Sequence, residues 1–372
     1  MDGSASKNPE LAAKDGGESC KPEGLRAGGA PPLLNGVLLG DTHLGFDLPQ
    51  KARVEKRRRG EDFFTNLERV LREAVEHRVD FVVHAGDLFN RSQPPAFVVD
   101  RAARLLFEAA EQGLPIVVVP GNHERSRLPA HLLFKHPNLH IFDRPRSFPL
   151  TLKDTRVTFL GFPFFRGDVR RNFRRLLREA GHVCAPPGVR LLCVHHAIEG
   201  AVVGTHDFTF RRGREDVVTG QDLPYGFAAT LSGHIHRAQT LERDLSGAAL
   251  PCPVLYAGAV ERTSFVERFE DKGYVRLALE PTRDGGRLVE SRFVSLHPRP
   301  MIDLELSVSG LSAETLNHRL VDLLEELHPE TVLRVRPVGV PTASARALLS
   351  SSVLRSLAPS TMSVELPFRP MA

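Results

Sequence analysis

From Asn35 onward the hydrophobic positions keep two rhythms. Short continuous apolar runs, Val37 to Gly40, Asp80 to Val83 and Ile116 to Val119, have the length and make-up of buried strands. Between them the spacing is helical. Phe63, Phe64, Leu67, Val70, Leu71 and Val75 mark a helix over Asp62 to His77. Val98, Val99, Ala102, Leu105 and Leu106 mark another over Ala96 to Glu111, which Gly113 stops. Strand–helix alternation implies parallel strands with right-handed crossovers.

Beyond Pro129 the pattern turns mostly to strands: His140 to Phe142, Phe148 to Leu152, Arg156 to Phe162, Val189 to Val194, Ala228 to Leu231, Val254 to Tyr256, Gly273 to Leu279 and Leu288 to Val294. One basic helix, about Val169 to Ala180, interrupts them. A second sheet packed on the first accommodates this. Pro298-Arg299-Pro300 marks a boundary. After it the pattern is strand (Ile302 to Val308), helix (Ala313 to Leu327), strand (Thr331 to Val335), helix (Ser344 to Leu357) and a short strand near Met362 to Leu366. Residues 1–34, rich in Gly, Ala, Ser and Lys without apolar periodicity, are expected to be a disordered tail. The expected division is this tail, a domain over 35–297 and a small α/β domain over 298–372.

Composition narrows the class. Of 372 residues 41% are hydrophobic and 25% charged, as in an ordinary globular protein. A net charge of +4 is compatible with a polyanionic partner without demanding one. Cys20, Cys184, Cys193 and Cys252 show no paired spacing, which fits a reducing, cytoplasmic setting. No apolar run is long enough to span a membrane, and no secretory signal is expected.

Five polar clusters follow apolar runs: Gly40-Asp41-Thr42-His43, Ala85-Gly86-Asp87, Gly121-Asn122-His123-Glu124, His195-His196 and Gly233-His234-Ile235-His236. Each alone has a bland explanation, since Asp after a strand commonly caps a helix or turn. Ligands in parallel sheets sit beyond the carboxyl ends of strands, so Asp41, Asp87 and Asn122 share one sheet edge. The residue types suit phosphate-ester cleavage. Two cations about 3.5–4 Å apart acidify a shared water, neutralise the phosphate and hold attack in line. Such a pair must share an anionic ligand, for which Asp87 is the best candidate. Oxygen and imidazole donors without thiolate suit manganese, iron or zinc more than copper. His123, next to Asn122, can face substrate as general acid or charge stabiliser; otherwise it orients a ligand.

The order GDTHLG, HAGDLFN, VPGNHE, VHH and SGHIH resembles the calcineurin-like metallophosphoesterase superfamily. GDLFNRSQPP and YAGAVERTSFVERFEDKGYVRLAL narrow the resemblance to SbcD-type DNA repair exonucleases, bacterial counterparts of the meiotic recombination eleven nucleases. It covers roughly Gly36 to the C-terminus. It implies a four-layer α/β/β/α sandwich with a small C-terminal α/β capping domain. It implies Asp41, His43, Asp87 and His236 around one divalent metal ion and Asp87, Asn122, His195 and His234 around a second, with His123 assisting at the phosphate. The ligand is His195, not His196, because the family's ligand falls directly after the strand. Manganese, DNA and an SbcC-type coiled-coil ATPase are the implied cofactor and partners, and a homodimer is compatible with them. Three departures stand out. Asn90 stands where archaeal and eukaryotic members have a histidine, and Glu124 where these nucleases more often have Asp after Asn-His. The chain also ends soon after the capping module, so the helices through which longer members bind their ATPase are expected to be short or missing.

Basic groups at Lys51 to Arg59, along the helix after Arg166, and at Arg211 to Arg214 offer candidate DNA contacts, among them Arg57, Arg58, Arg59, Arg125 and Arg166. A solvated face explains any one group more simply. Glu61 and Asp62 read as favourable charge at a helix N-terminus, and Ser126 lacks a base to make it a nucleophile. The rival functions are a phosphodiesterase or phosphatase for small phosphate esters and a non-catalytic DNA-end scaffold; the full ligand set disfavours the second.

Overall fold

The computed structural model describes residues 32–47, 59–129, 132, 136–184, 188–204, 208–210 and 214–367. Residues 1–31 of the expected tail lie outside these, while Leu34 already begins the first strand.

Strands β1 (Leu34–Leu39), β2 (Phe81–His84), β3 (Ile116–Val118) and β4 (Leu139–Ile141) run parallel in that order. Helices α1 (Gly60–Glu76) and α2 (Ala96–Glu111) make the crossovers. The apolar runs are continuous because both faces of the sheet are covered. Val37, Leu39, Val82, Ile116 and Val118 pack under α1 and α2. Leu34, Leu38, Phe81, Val83 and Val117 point the other way, into the space between two sheets.

The second sheet begins with β5 (Arg146–Leu152) and β6 (Thr155–Gly161), continues after α3 (Val169–Glu179) with β7 (Val189–Val194), and passes four two-residue strands, β8 (Ala197–Ile198), β9 (Val202–Val203), β10 (Phe208–Thr209) and β11 (Val217–Val218). It is completed by β12 (Ala229–Ser232), β13 (Gln239–Arg243) and β14 (Ala249–Tyr256), in spatial order β13-β14-β12-β7-β6-β5. Then β15 (Gly273–Glu280) and β16 (Arg287–Ser295) return to the first sheet, beside β1 and antiparallel to it. Phe159, Leu191, Cys193 and Leu231 fill the space between sheets, while Leu160, Leu192 and Val194 face Phe173, Leu176 and Leu177 of α3. The layers are therefore helix, sheet, sheet, helix, as expected. Both central sets of four parallel strands end on one side of the sandwich, where the polar clusters lie.

A three-stranded parallel sheet closes the chain: β17 (Met301–Ser307), β18 (Val332–Val338) and β19 (Ser363–Glu365), with α4 (Ala313–Glu326), α5 (Ala343–Arg346) and α6 (Ser351–Leu357). It has its own core, including Leu316, Leu320, Leu333, Val335 and Leu354. One helix was expected over Ser344 to Leu357. There are two, because Ser350 is extended (φ −134°) and its hydroxyl accepts the Val353 N–H to start α6. Arg299 joins this layer to the body. Its guanidinium bonds Asp62 of α1 at 2.9 Å and the Glu330 carbonyl at 2.6 Å, and its own carbonyl accepts from Arg262. Among the described residues no helix is long and apolar enough to cross a membrane.

Candidate metal centre

The loops after β1 and β2 run side by side. Asp41 N–H donates to the Gly86 carbonyl (2.8 Å) and His43 N–H to that of Asp87 (2.9 Å). Asp41, His43, Asp87 and His234 all adopt positive φ (49°, 42°, 52° and 81°). That backbone is costly for residues other than glycine, and it clusters here because it aims these side chains at one point.

Seven side chains meet there. Nε2 of His43 and Nε2 of His236 are 3.0 Å apart, with Asp41 Oδ1 4.0 Å from the latter. Asn122 Oδ1 lies 3.0 Å from both Nε2 of His195 and Nδ1 of His234. Asp87 stands between the two groups, its Oδ2 3.3 Å from His195 and 3.9 Å from His43. Asp41 is further tied down by the His234 N–H, 3.1 Å from each carboxylate oxygen.

Hydrogen bonds fix which nitrogen three of the imidazoles offer. A carbonyl only accepts, so the 2.7 Å contact of His195 Nδ1 with Ala85 places the proton on Nδ1 and turns Nε2 inward. Glu267 does the same for His236, 3.3 Å from its Nδ1. The Asn90 carbonyl holds Nδ1 of His123 at 2.9 Å, leaving Nε2 directed at Asp87 Oδ2, 3.9 Å away, on a half-exposed side chain.

This donor set fits divalent cations. Neutral His195 presents a lone pair to a carbonyl oxygen at 3.0 Å, which needs a positive charge between them. Burial opposes protonation of His195, yet the carboxylates of Asp87 and then Asp41 outweigh it and lift its pKa to about 9. Burial also opposes ionisation of Asp87, but the facing imidazoles, His195 above all, hold its carboxyl far below the usual range. Burial pushes Asp41 up to about 6, lowers His234 to about 4 and keeps His43 neutral. The groups Asp41–His43–His236, His43–Asp87–His123 and Asp41–Asp87–His195 each bring ligand atoms within 4.8 Å of one another.

His196 turns away from the cluster. Its Nε2 accepts the Phe165 N–H at 3.1 Å, and its ring stacks on Phe164 at 4.7 Å. Glu124 stitches the second and third loops together, accepting the N–H of Phe89 (2.6 Å) and of Gly121 (2.8 Å). Burial raises its pKa to about 8. Ser126 donates to the Phe164 carbonyl and is no nucleophile. Two supporting residues had no usable sequence signal. Thr42 bonds buried His84 at 3.0 Å, and nothing in the sequence relates those positions. Lys272, fully buried, lies in a segment noted only for its family resemblance.

The basic groups fare unequally. Arg57, Arg58, Arg211 and Arg212 lie outside the described residues. Arg59 is buried and donates to the Arg262 carbonyl, so its guanidinium serves the joint to the C-terminal layer and is not offered to a phosphate. On α3, Arg171, Arg174 and Arg175 pair with Asp168, Asp222 and Glu179. Arg125 and Arg166 are exposed on loops bordering the cluster.

A family model described as calcineurin-like phosphoesterase matches residues 37–238. The DNA double-strand break repair protein Mre11 of Methanopyrus kandleri is 26% identical over 299 residues, 75% of this chain and 60% of that protein. The protein of the same name from Archaeoglobus fulgidus is 25% identical over 320 residues, covering 79% and 66%. One subunit of the nuclease SbcCD, that of SbcD type, from Bacillus subtilis is 25% identical over 228 residues, covering 55% and 57%. The chain thus spans less than two thirds of the length of these relatives.

Proposed function

The chain belongs to the calcineurin-like phosphoesterase family, and from that premise we propose that it is a metal-dependent DNA nuclease that hydrolyses phosphodiester bonds in repair. The observation that carries this is the meeting of six oxygen and imidazole donors around a seventh, the shared carboxylate of Asp87. Asp41, His43, Asp87 and His236 would hold one cation; Asp87, Asn122, His195 and His234 would hold the other. The absence of thiolate favours manganese over softer metals. When bound, such a pair supplies positive charge to phosphate oxygens and acidifies water.

The chain's own residues do the rest. Ala85 and Glu267 orient two of the imidazoles, so that lone pairs face inward. The Asn90 carbonyl holds Nδ1 of His123, so that its Nε2 faces the cluster, 3.9 Å from Asp87 Oδ2. In the imidazolium form, His123 donates Nε2–H to a phosphate or leaving oxygen. Names of the relatives support DNA over small phosphate esters as substrate, and the naming of one relative as part of a nuclease complex supports a partner, for which an SbcC-type coiled-coil ATPase is the candidate. Residues 298–372 would act as a cap on the nuclease domain at 35–297. The free, buried thiols of Cys193 and Cys252 suit a cytoplasmic setting.

End-labelled linear duplex and a chromogenic phosphodiester, each incubated with manganese or with chelator, test this reading. Manganese-dependent release of nucleotides from DNA is expected. Turnover of the small ester alone would replace DNA with a small-molecule substrate.

A further inference from the structure

Glu267 lies outside the seven-residue cluster, on a short turn between β14 and β15. Its carboxylate is nonetheless a hub. Oε1 accepts the Thr263 hydroxyl at 2.7 Å and that of Ser264 at 3.3 Å, and faces His236 Nδ1 at 3.3 Å. Oε2 pairs with Nζ of Lys272 at 2.8 Å. That ammonium also donates to the His236 carbonyl and to Glu270, each at 2.8 Å. Lys272 is 0% exposed.

A buried lysine among carboxylates is an expensive way to stabilise a fold, because an apolar set of the same volume does as well or better. The arrangement makes sense if the carboxylate's orientation matters. A carboxylate behind the far nitrogen of a ligand imidazole fixes its tautomer and makes its other nitrogen a stronger donor. The two halves of the cluster differ in this respect. Behind His195 stands a neutral carbonyl, that of Ala85. Behind His236 stands a full negative charge, clamped by a lysine that grips the same histidine's backbone.

We propose that Glu267 is a positioning residue for the cation held by Asp41, His43 and His236, and that Lys272 locks it in place. This rests on the two-cation reading above. Removing the charge weakens one cation and spares the other. Loss of such a partner typically costs about 10–100-fold in metal affinity.

The test is manganese uptake by the full chain, followed by equilibrium titration with metal analysis and by electron paramagnetic resonance, without any substrate. The unaltered protein should take two ions and give the signal of an exchange-coupled pair. Glu267→Gln should retain one ion at unchanged affinity, bind the second about 10–100-fold more weakly, and show an isolated six-line signal at limiting metal. The retained ion reports that the site is folded. Thr263→Val, which removes one of the two hydroxyls on Oε1, itself 3.4 Å from His236 Nδ1, guards against misfolding of the first variant and should weaken the same ion several-fold. Two ions at unaltered affinity in both variants would overturn the role of Glu267 while leaving the two-cation reading intact. An unaltered protein that binds no manganese would overturn both.

Discussion

Nε2 of His195 and Oδ1 of Asn122 lie 3.0 Å apart, and only a proton or a cation between them makes that contact favourable. Without metal the proton takes the place: burial opposes it, but the carboxylates of Asp87 and then Asp41 lift His195 to about 9. His236 is raised as well: burial opposes this, and Glu267 and Asp41 prevail. Metal must displace these protons.

Manganese binding near pH 7.5 should therefore release protons, foremost that of His195, which is lifted to about 9. The sign follows from the raised pKa: affinity climbs with pH up to about 9 and falls below it. Below about pH 6 the fall steepens, as Asp41 also takes up a proton. Calorimetric titration in two buffers of different ionisation enthalpy counts the protons. A count of zero would contradict the lifted imidazole.

Removing metal should loosen the whole sandwich, because the cluster ties loops of both sheets together. A ligand at a hundred times its Kd stabilises by about 2.7 kcal/mol. In a chain of this size that corresponds to a rise in Tm on the order of 5 °C. Thermal melts in manganese and in chelator measure it.

Asp87→Asn and His123→Ala should both reduce cleavage yet differ in how. Asp87 touches both halves of the cluster, so its amide should lose at least one ion together with activity. His123 meets Asp87 and the edge of the His43 ring but offers a half-exposed imidazole, so its alanine variant should keep both ions. It should lose roughly 10²–10⁴-fold in turnover, the usual worth of general acid–base help. Metal analysis beside single-turnover cleavage distinguishes the two variants.

Two glycines are irreplaceable for a steric reason. At Gly86, with φ +110°, a Cβ would stand 2.1 Å from Nδ1 of His195. At Gly121 a Cβ would stand 2.1 Å from Asp87 Oδ1. Neither neighbour can retreat without leaving the cluster. Gly86→Ala and Gly121→Ala should fold with a lowered Tm and lose manganese binding, whereas Gly200→Ala, where nothing lies within 4 Å of the added carbon, should keep it. Melting and metal analysis on the three proteins check this.

Much of this arrangement was legible in the chain. Helix α2 begins and ends at the expected residues, because an uninterrupted apolar stripe and Gly113 bound it. The strand-then-ligand order put the loops on one edge, since parallel strands with helical crossovers leave no alternative. Other features were not legible. The strand Gln239–Arg243 is an edge strand of polar residues, without an apolar run to announce it. Arg59 belonged by sequence to a basic run, but folding buries it at the foot of α1 against Arg262, 203 positions away. Glu124, Glu267 and Lys272 act through partners set by tertiary structure, and a charged residue in sequence carries no mark of burial.

Two exposed arginines on loops that border the cluster differ from the paired Arg174 and Arg175 of α3. Arg125 follows His123 and Glu124 on the third loop. Arg166 follows Phe164, whose ring lies 6.1 Å from His195 and 6.0 Å from His234. Among the described residues neither has an ion-pair partner, whereas Arg174 and Arg175 of α3 are paired at 2.9 and 2.5 Å. Each phosphate neutralised on duplex DNA contributes about 0.9 to the slope of log Kobs against log salt. If both free arginines meet the backbone, Arg125→Ala with Arg166→Ala should lower that slope by about 1.8 and weaken binding alike on unrelated sequences. Replacing Arg174 and Arg175 should change it far less, because each must first give up an existing carboxylate. Fluorescence anisotropy across a salt series, on catalytically dead Asp87→Asn background, measures both slopes. Equal slopes in the two double variants would move the DNA path away from the loops of His123 and Phe164.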